Sequence, residues 1–319
     1  MLEVSKLSRS YGDFLAVNDV SFNIKSGEIV GLLGHNGAGK TTIMKMLSGF
    51  LEPDQGRIVL DGIDMATDAK AVQRLLGYLP ENLPVYPEMA VADYLDYAAD
   101  LKGLKGDLKT AEIRRAVRAT ELASKLTAPI ATLSRGYKQR VGVAQAILGK
   151  PRVLILDEPT NGLDPTQTEH MRALIRDIAQ HATVILSTHI MQEVDALCDR
   201  VLIVNAGKLV VDETLANLKQ ARQLLLTTSL ARQPLQDIVG TMPALGSCSV
   251  LSTADGWQQY RLEVRTGHDL HDTAAALTQA LVQAGGRVAA IQPEVRNLET
   301  LFREVSSGHA AAQEVKHAA

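Results

Sequence analysis

Cysteine is scarce in this sequence, and its scarcity excludes several kinds of site. The 319 residues include two cysteines, Cys198 and Cys248, and neither lies in a Cys-x-x-Cys pair or near a cluster of histidines. Paired or clustered cysteines mark disulfide-stapled secreted domains and structural zinc sites. We therefore expect a protein of a reducing compartment, and with 46% apolar residues it has enough material for a hydrophobic core.

A basic excess and a long apolar run are also absent. Lysine and arginine total 33 against 36 acidic residues, so the strongly basic face of a nucleic-acid-binding protein is not indicated. No stretch reaches the ~18 apolar residues that a membrane-spanning helix needs. The opening MLEVSKLSRS lacks the apolar core of a signal peptide. These absences predict a cytoplasmic chain that enters no membrane by itself and binds no nucleic acid.

Strand and helix patterns alternate along the first two thirds of the chain. Apolar runs typical of buried strands, such as EIVGLL at 28–33 and VLILDE at 153–158, are separated by helical patterns such as AEIRRAVRATELASKL at 111–126. The alternation predicts an α/β fold around a parallel sheet, with antiparallel strands before it. We place this domain at residues 1–218, with a helical subdomain at about 88–150.

A different pattern begins near residue 222. Four strand-like and two helical segments follow in the order β-α-β-β-α-β. In QYRLEVR the side chains of Tyr260, Leu262 and Val264 share one face, as in a half-exposed strand. We expect a small α+β domain at 222–305 without catalytic residues, followed by a flexible, alanine-rich tail at 306–319.

The segment GHNGAGKTT at 34–42 fits the phosphate-binding pattern G-x-x-x-x-G-K-[ST], and it lies between a predicted strand and a predicted helix. Glycines let backbone N–H groups face phosphate oxygens, and the following helix adds its positive N-terminal end. The pattern predicts that Lys40 reaches the β- and γ-phosphates and that Thr41 ligates Mg²⁺. The predicted nucleotide-binding residues of this loop are Gly34, Asn36, Gly37, Gly39, Lys40, Thr41 and Thr42.

Two acids, Asp157 and Glu158, end the buried run VLILDE. Parallel strands deliver such residues to the carboxyl edge of the sheet, where ligands bind. We expect Asp157 to hold Mg²⁺ through water and Glu158 to act as the general base for the attacking water. A strand that merely ends in solvated acids has the same appearance, and the phosphate-binding loop is what favours the catalytic interpretation.

Three further motifs follow in order: LSRGY at 133–137, NGLD at 161–164 and STH at 187–189. With them, residues 1–218 resemble the nucleotide-binding subunit of ATP-binding-cassette (ABC) transporters. The resemblance implies that two chains enclose two ATP molecules head to tail. Ser134 and Gly136 would then bind the γ-phosphate held by the opposite chain. Asp164 would lie near the dimer seam, and His189 would contact the γ-phosphate. The family's commoner signature is LSGGQ, from which Arg135 and Tyr137 depart.

Two residues outside these motifs gain a role from the same resemblance. Tyr11 stands where the family stacks an aromatic ring on adenine. Glu81, in YLPEN, stands where the family usually has a glutamine that reaches Mg²⁺. A carboxylate is the stronger ligand for a hard cation, and a solvated loop residue is the alternative. The apolar stretch after Glu81 would border a groove that receives a membrane subunit.

Within the family, GYLPEN, LSRGYKQR, EPTNGLDP and VRNLETLFREV most resemble the ABC-2 type, which includes ATPases linked to gliding motility and to nitrous-oxide-reductase maturation. The resemblance implies an ATPase at the cytoplasmic face of the cell membrane. It would act as a homodimer, or with a similar ABC subunit, and would power an integral-membrane permease as an exporter.

Rival functions remain open to test. One is a non-transport ABC ATPase that regulates or scaffolds a membrane complex, although the complete set of catalytic residues disfavours a purely structural role. Relatives that act on DNA carry long coiled coils, and relatives that act on the ribosome carry two cassettes in one chain. This sequence has no sustained heptads and one set of motifs.

Overall fold

The computed structural model describes residues 1–83, 85–219, 223–254, 256–294, 298–300 and 302. It divides into two compact units, one formed by Met1–Leu215 together with Phe302 and the other by Ala216–Leu301. The tail predicted at 306–319 and most of the VRNLETLFREV segment lie outside the described residues.

Strands and helices alternate through most of the first unit. Its strands are β1 (Leu2–Tyr11), β2 (Phe14–Ile24), β3 (Ile29–Leu33), β4 (Gln55–Leu60), β5 (Ile63–Asp64), β6 (Leu76–Leu79), β7 (Val153–Asp157), β8 (Thr183–Ser187), β9 (Arg200–Asn205) and β10 (Lys208–Thr214). Its helices are α1 (Lys40–Leu47), α2 (Ala69–Leu75), α3 (Val91–Leu101), α4 (Gly106–Ala119), α5 (Arg135–Ala146), α6 (Pro165–Ala179) and α7 (Met191–Leu197), after which α8 (Leu215–Lys219) begins.

A six-stranded sheet with the order β10-β9-β3-β8-β7-β6 forms the centre of this unit. Its strands are parallel except for β10, which forms a hairpin with β9. Every residue of β3, β7 and β8 is buried, as expected for parallel strands covered on both faces. The α/β fold with a parallel-sheet core is therefore confirmed, and the carboxyl ends of β3, β6, β7 and β8 meet at one edge.

The antiparallel strands form a second sheet with the order β2-β1-β4-β5. One hydrophobic core connects this sheet, α1 and the central sheet, and it includes the buried side chains of Leu7, Ile24, Met44, Ile155 and Leu202. Because α1 is packed on both sheets, the loop that precedes it is held firmly at the sheet edge.

The prediction of a continuous helix over 111–126 is wrong. Helix α4 ends at Ala119, and the hydroxyl of the buried Thr120 donates to the carbonyl of Ala116 at 2.8 Å. The next residue, Glu121, has a φ of 54°, which breaks the helical path. A short 3₁₀ turn at Ala123–Lys125 follows. The residues after Ala119 keep a helix-favouring composition, but the backbone leaves the helical path at Glu121.

The second unit has the predicted element order. It contains β11 (Gln223–Thr228), α9 (Arg232–Thr241), β12 (Leu245–Ala254), β13 (Trp257–Val264), α10 (Leu270–Gln283) and β14 (Val288–Pro293). All neighbours in the sheet, whose order is β12-β13-β11-β14, are antiparallel. A core that includes Leu226, Leu235, Tyr260 and Leu277 joins both helices to one face of the sheet. A small two-layer α+β fold is therefore confirmed.

Candidate active site

The phosphate-binding loop connects β3 to α1. Gly39 caps α1 with a φ of 109°, and a Cβ added there would lie 2.6 Å from the carbonyl oxygen of Ala16, so this turn requires glycine. The Lys40 ammonium donates to the carbonyls of Gly34 at 2.6 Å and His35 at 3.1 Å. No acidic residue lies in the first turn of α1. The helix N-terminus and Lys40 therefore form an anion-binding site.

Strand register brings three further segments to this loop. β6 and β7 pair in parallel with Leu79 opposite Leu156, and Glu81 and Glu158 each lie two residues beyond this pair. β7 and β8 pair with Asp157 opposite Ser187, and His189 lies two residues beyond. The side chains of Glu81, Glu158 and His189 consequently share one sheet edge.

Glu158 is held from several sides. Its φ is 50°, a left-handed backbone that is uncommon for a residue with a side chain and is often found at functional sites. Its N–H donates to the carbonyl of Ser187 at 2.9 Å. Nδ1 of His189 lies 3.0 and 2.9 Å from the two carboxylate oxygens. His189 therefore fixes the direction of the Glu158 carboxylate, which is 11% exposed.

The charges of the site perturb one another. The pKa of Asp157 is raised to about 6, chiefly by burial and also by the charges of Glu81 and Glu158, while the neighbouring Ser187 hydroxyl and the charge of Lys40 oppose the increase. Burial also lowers the pKa of Lys40, and the three carboxylates counter that effect. A cluster of three acids and one lysine leaves negative charge that a bound cation would neutralise.

These residues line one cavity of about 640 Å³, large enough for a nucleotide. It brings together eight predicted site residues: Gly34, Asn36, Lys40, Thr41, Glu81, Asp157, Glu158 and His189. Gly37, Gly39 and Thr42 belong to the same loop and helix without lining the cavity.

The other predicted residues lie elsewhere. Tyr11 ends β1, is 48% exposed and lies 5.7 Å from the Arg9 guanidinium. Ser134 caps the N-terminus of α5, where its hydroxyl accepts from the N–H of Tyr137 at 3.5 Å, and Gly136 follows in the first turn. Asp164 caps α6 and accepts from the N–H of Gln167 at 2.8 Å. The signature segment therefore does not complete the cavity of its own chain.

Sequence reasoning missed several residues that line the cavity. They are His35, Asn161, Ser187, Thr188, Met191 and Phe302. Four of them lie inside the motifs GHNGAGKTT, NGLD and STH, where attention to the whole motif would have found them. Phe302 belongs to VRNLETLFREV, but nothing in that segment indicated contact with the cavity; its ring centroid lies 4.5 Å from that of His35.

A phosphate-binding loop, an acid pair at a strand end and a histidine beside the second of these acids define a nucleotide-hydrolysing protein of the phosphate-loop class. The profile of the family described as ABC transporter matches residues 17–161. The uncharacterized ABC transporter ATP-binding protein YdbJ of Bacillus subtilis is 30% identical, covering 97% of this chain and 96% of that protein.

The Nod factor export ATP-binding protein I of Burkholderia orbicola is 35% identical over 66% of this chain and 70% of its own length. A solved structure described as the ATP binding subunit of an ABC transporter has 32% identity and a TM-score of 0.64 over 69% of this chain and 92% of that one. The chain belongs to the ABC transporter ATP-binding protein family, and it is an ATPase.

Proposed function

We propose that this chain is the ATP-hydrolysing subunit of an ABC-2-type exporter, that it dimerises around two ATP molecules, and that it works at the cytoplasmic face of a membrane on an integral-membrane permease. The separation of the signature segment from the cavity carries this proposal. Ser134 and Gly136 lie at the N-terminus of α5, where the first turn has no acidic residue, yet neither lines the cavity of its own chain. A second chain would bring its own signature to the open side of the cavity.

Hydrolysis would depend on Glu158 and the groups that hold it. Glu158 accepts a proton from the attacking water, and His189 at 2.9 Å keeps the carboxylate aimed into the cavity. Lys40 is available to the phosphates because its two hydrogen-bond acceptors are neutral carbonyls. The loop amides and the N-terminus of α1 then stabilise the charge of the transferring phosphoryl group.

The residues also fit Mg²⁺. Thr41, Glu81 and Asp157 offer oxygen atoms in the cavity. Burial, together with the charges of Glu81 and Glu158, raises the pKa of Asp157, so a cation beside this carboxylate would be stabilising. Among the described residues, no group of three or more His, Cys, Asp or Glu side chains is arranged to hold a metal by itself. Mg²⁺ usually keeps several waters and takes phosphate oxygens, so a bound nucleotide would complete its set of ligands. When bound, it would neutralise phosphate charge and orient the γ-phosphate.

A separate groove of about 660 Å³ supports docking of a membrane subunit. Its lining includes the cations of Lys70, Arg74 and Lys102 and, among the residues that the structure describes, no aspartate or glutamate. Tyr86 and Tyr97 also line it, stacked edge to face with centroids 5.7 Å apart and exposed by 46% and 40%. A short segment with apolar side chains and a carboxylate fits this surface. No helix within the described ranges is long and apolar enough to cross a membrane.

Complementation tests the shared sites. Lys40→Ala and Ser134→Arg chains should each be inactive, and mixing them should restore part of the activity because one of the two mixed sites is intact. Glu158→Gln should bind ATP, accumulate a dimer and lose roughly 10²–10⁴ in turnover. The surface variant Glu169→Gln should keep the native turnover. Mixed dimers that form without regaining activity, or an active Glu158→Gln chain, would contradict the mechanism.

Co-purification from detergent-solubilised membranes separates the exporter from the alternative, a regulator or scaffold of a membrane complex. The native chain should be retained with a multi-span protein, and Arg74→Glu with Tyr97→Ala should reduce that retention. Lys208→Glu, an exposed charge reversal on β10, is the matched control. Export itself is supported by the similarity to a Nod factor export protein. Export is tested by measuring ATP-dependent efflux from cells or vesicles. A chain that shows no such efflux would favour the alternative role as a regulator of a membrane complex.

A further inference from the structure

Phe302 differs in chemistry from most of the residues around the nucleotide cavity. The lining is mainly polar or charged, and among its described residues only Met191 and Phe302 carry large apolar side chains. Met191 begins α7, two residues after His189. Phe302 comes from the C-terminal part of the chain and belongs to the same compact unit as the phosphate-binding loop. An apolar ring in a cavity that binds phosphate therefore needs a physical reason.

The ring of Phe302 lies against the phosphate-binding loop. Its centroid is 4.5 Å from that of the His35 imidazole, and the two ring planes are tilted by 46°. This separation is at the short end of the range in which aromatic rings attract one another. Phe302 is half-buried, whereas His35 is exposed. The contact therefore covers part of a loop residue that still faces solvent.

His35 also shapes the backbone of the loop. Its carbonyl accepts from the N–H of Ala38 at 3.0 Å, which closes a turn ahead of α1, and from the Lys40 ammonium at 3.1 Å. A phosphate that draws Lys40 away would remove one of these two hydrogen bonds. The ring contact would still hold His35, so Phe302 is placed to keep the loop in its anion-binding shape while the lysine moves to the ligand.

The size of the cavity decides whether the ring blocks the site or forms its wall. About 640 Å³ is open beside Phe302, and cavities of ~300–1,000 Å³ hold small molecules and cofactors. A nucleotide therefore fits without displacing the ring. An apolar wall also excludes water from its side of the cavity, which strengthens the attraction between Lys40 and phosphate.

We propose that Phe302 is a positioning residue of the nucleotide site: it packs on His35 to hold the phosphate-binding loop, and it forms an apolar wall of the cavity at that loop. The C-terminal part of the chain thereby contributes a side chain to the ATP site. The proposal rests on nucleotide binding in the cavity described above, and it holds whether or not the chain dimerises or serves an exporter.

Equilibrium binding and steady-state kinetics of the full chain test the proposal. Phe302→Ala should weaken ATP binding by about 3–10-fold, the factor expected for one aromatic contact. KM should rise by the same factor and kcat should stay within about twofold, because the contact holds the loop equally before and during the reaction. Phe302→Tyr keeps the ring and should retain native affinity. Phe50→Ala, which removes an exposed ring outside the cavity, is the matched control.

A double-mutant cycle tests whether His35 is the residue through which the ring acts. His35→Ala alone should weaken ATP binding about as much as Phe302→Ala does. The two changes together should add little to either one, since both remove the same contact. Fully additive losses would contradict the positioning role.

Tryptophan emission tests whether nucleotide reaches the ring. The sequence has one tryptophan, Trp257, so Trp257→Phe combined with Phe302→Trp gives a chain whose tryptophan emission comes from position 302. ADP with Mg²⁺ should change that emission along a saturation curve, and adding Lys40→Ala should abolish the change at the same concentrations. The control chain carries Trp257→Phe with Phe50→Trp and should not respond.

Three results would overturn the role of Phe302. Tighter ATP binding or faster hydrolysis by Phe302→Ala would show that the ring obstructs the site. A lower melting temperature with native affinity and KM would make the contact purely structural. Emission from position 302 that does not change at saturating ADP would remove Phe302 from the site. ATP binding that survives Lys40→Ala would refute the cavity itself as the nucleotide site, so the two failures are distinguishable.

Discussion

Replacement of Asp157 by asparagine should stabilise the metal-free protein at neutral pH. Burial raises the pKa of Asp157 from 3.8 to about 6, with Glu81 and Glu158 adding to the increase. Because the folded-state pKa lies above the unfolded value, the favourable contribution of the protonated acid is complete below about pH 4 and is lost as the pH rises through 6. The difference corresponds to roughly 3 kcal/mol at neutral pH.

Thermal unfolding without Mg²⁺ and nucleotide, from pH 4 to 7.5, measures this effect. Near pH 4 the neutral aspartic acid and the asparagine should give similar melting temperatures. Above pH 6 the Asp157→Asn chain should melt roughly 6–12 °C higher, at about 2–4 °C per kcal/mol for a unit of this size. In Glu81→Gln the transition should move to lower pH, since the charge of Glu81 raises the pKa of Asp157.

Magnesium should reverse the order of the melting temperatures of the native and Asp157→Asn chains. At pH 7.5, Mg²⁺ with a nucleotide should stabilise the native chain more than Asp157→Asn, because the carboxylate then has a cation beside it. If the melting temperatures of the two chains change in parallel across the pH range, the pKa of Asp157 is not raised in the folded protein. That result would refute the raised pKa assigned to this carboxyl.

Three further results are expected. Glu81→Gln should keep ATPase activity within ~10-fold and need more Mg²⁺ for half-maximal rate, with Glu81→Ala falling further; superimposable Mg²⁺ titrations of the native and variant chains would mean that Glu81 never meets the metal. Tyr11→Ala should weaken ATP binding by the ~1–3 kcal/mol of base stacking while Tyr11→Phe retains it, and equal affinities would remove Tyr11 from the site. A chain ending near Asn217, which lacks Phe302 of the cavity lining, should still bind ATP in an equilibrium titration; loss of binding by a folded truncated chain would show that residues beyond 217 contribute to the nucleotide site.

Local sequence determined the parts of the site that are contiguous. EIVGLLGHNGAGKTT and VLILDE each combine a buried strand with the predicted site residues that follow it, so periodicity and motif specify both the element and its chemistry. The β-α-β-β-α-β order of the second unit was readable for the same reason: Tyr260, Leu262 and Val264 alternate with polar residues, and all three are buried.

Elements without such patterns required the tertiary structure. Strand β6 has four residues and contains Gly77, so its sequence does not predict a strand. Nevertheless, Glu81 reaches the site because it follows this strand. A Cβ at Gly77 would lie 2.2 Å from the carbonyl of Ala146, which shows that close packing with α5 governs this position. Helix α4 likewise ends where Glu121 adopts a left-handed backbone, a choice that helix propensity does not reveal.

The sequence by itself determined that the chain has a phosphate-binding loop, an acid pair and a parallel sheet, because each is encoded in a short segment. Only the tertiary structure decided which side chains meet. The register of β6, β7 and β8 brought Glu81, Glu158 and His189 to one edge. The packing of α5 against the loop before α6 placed Arg135 on Gly162. These contacts join residues that are distant in sequence. They depend on strand register and side-chain packing, and no local sequence pattern predicts such contacts.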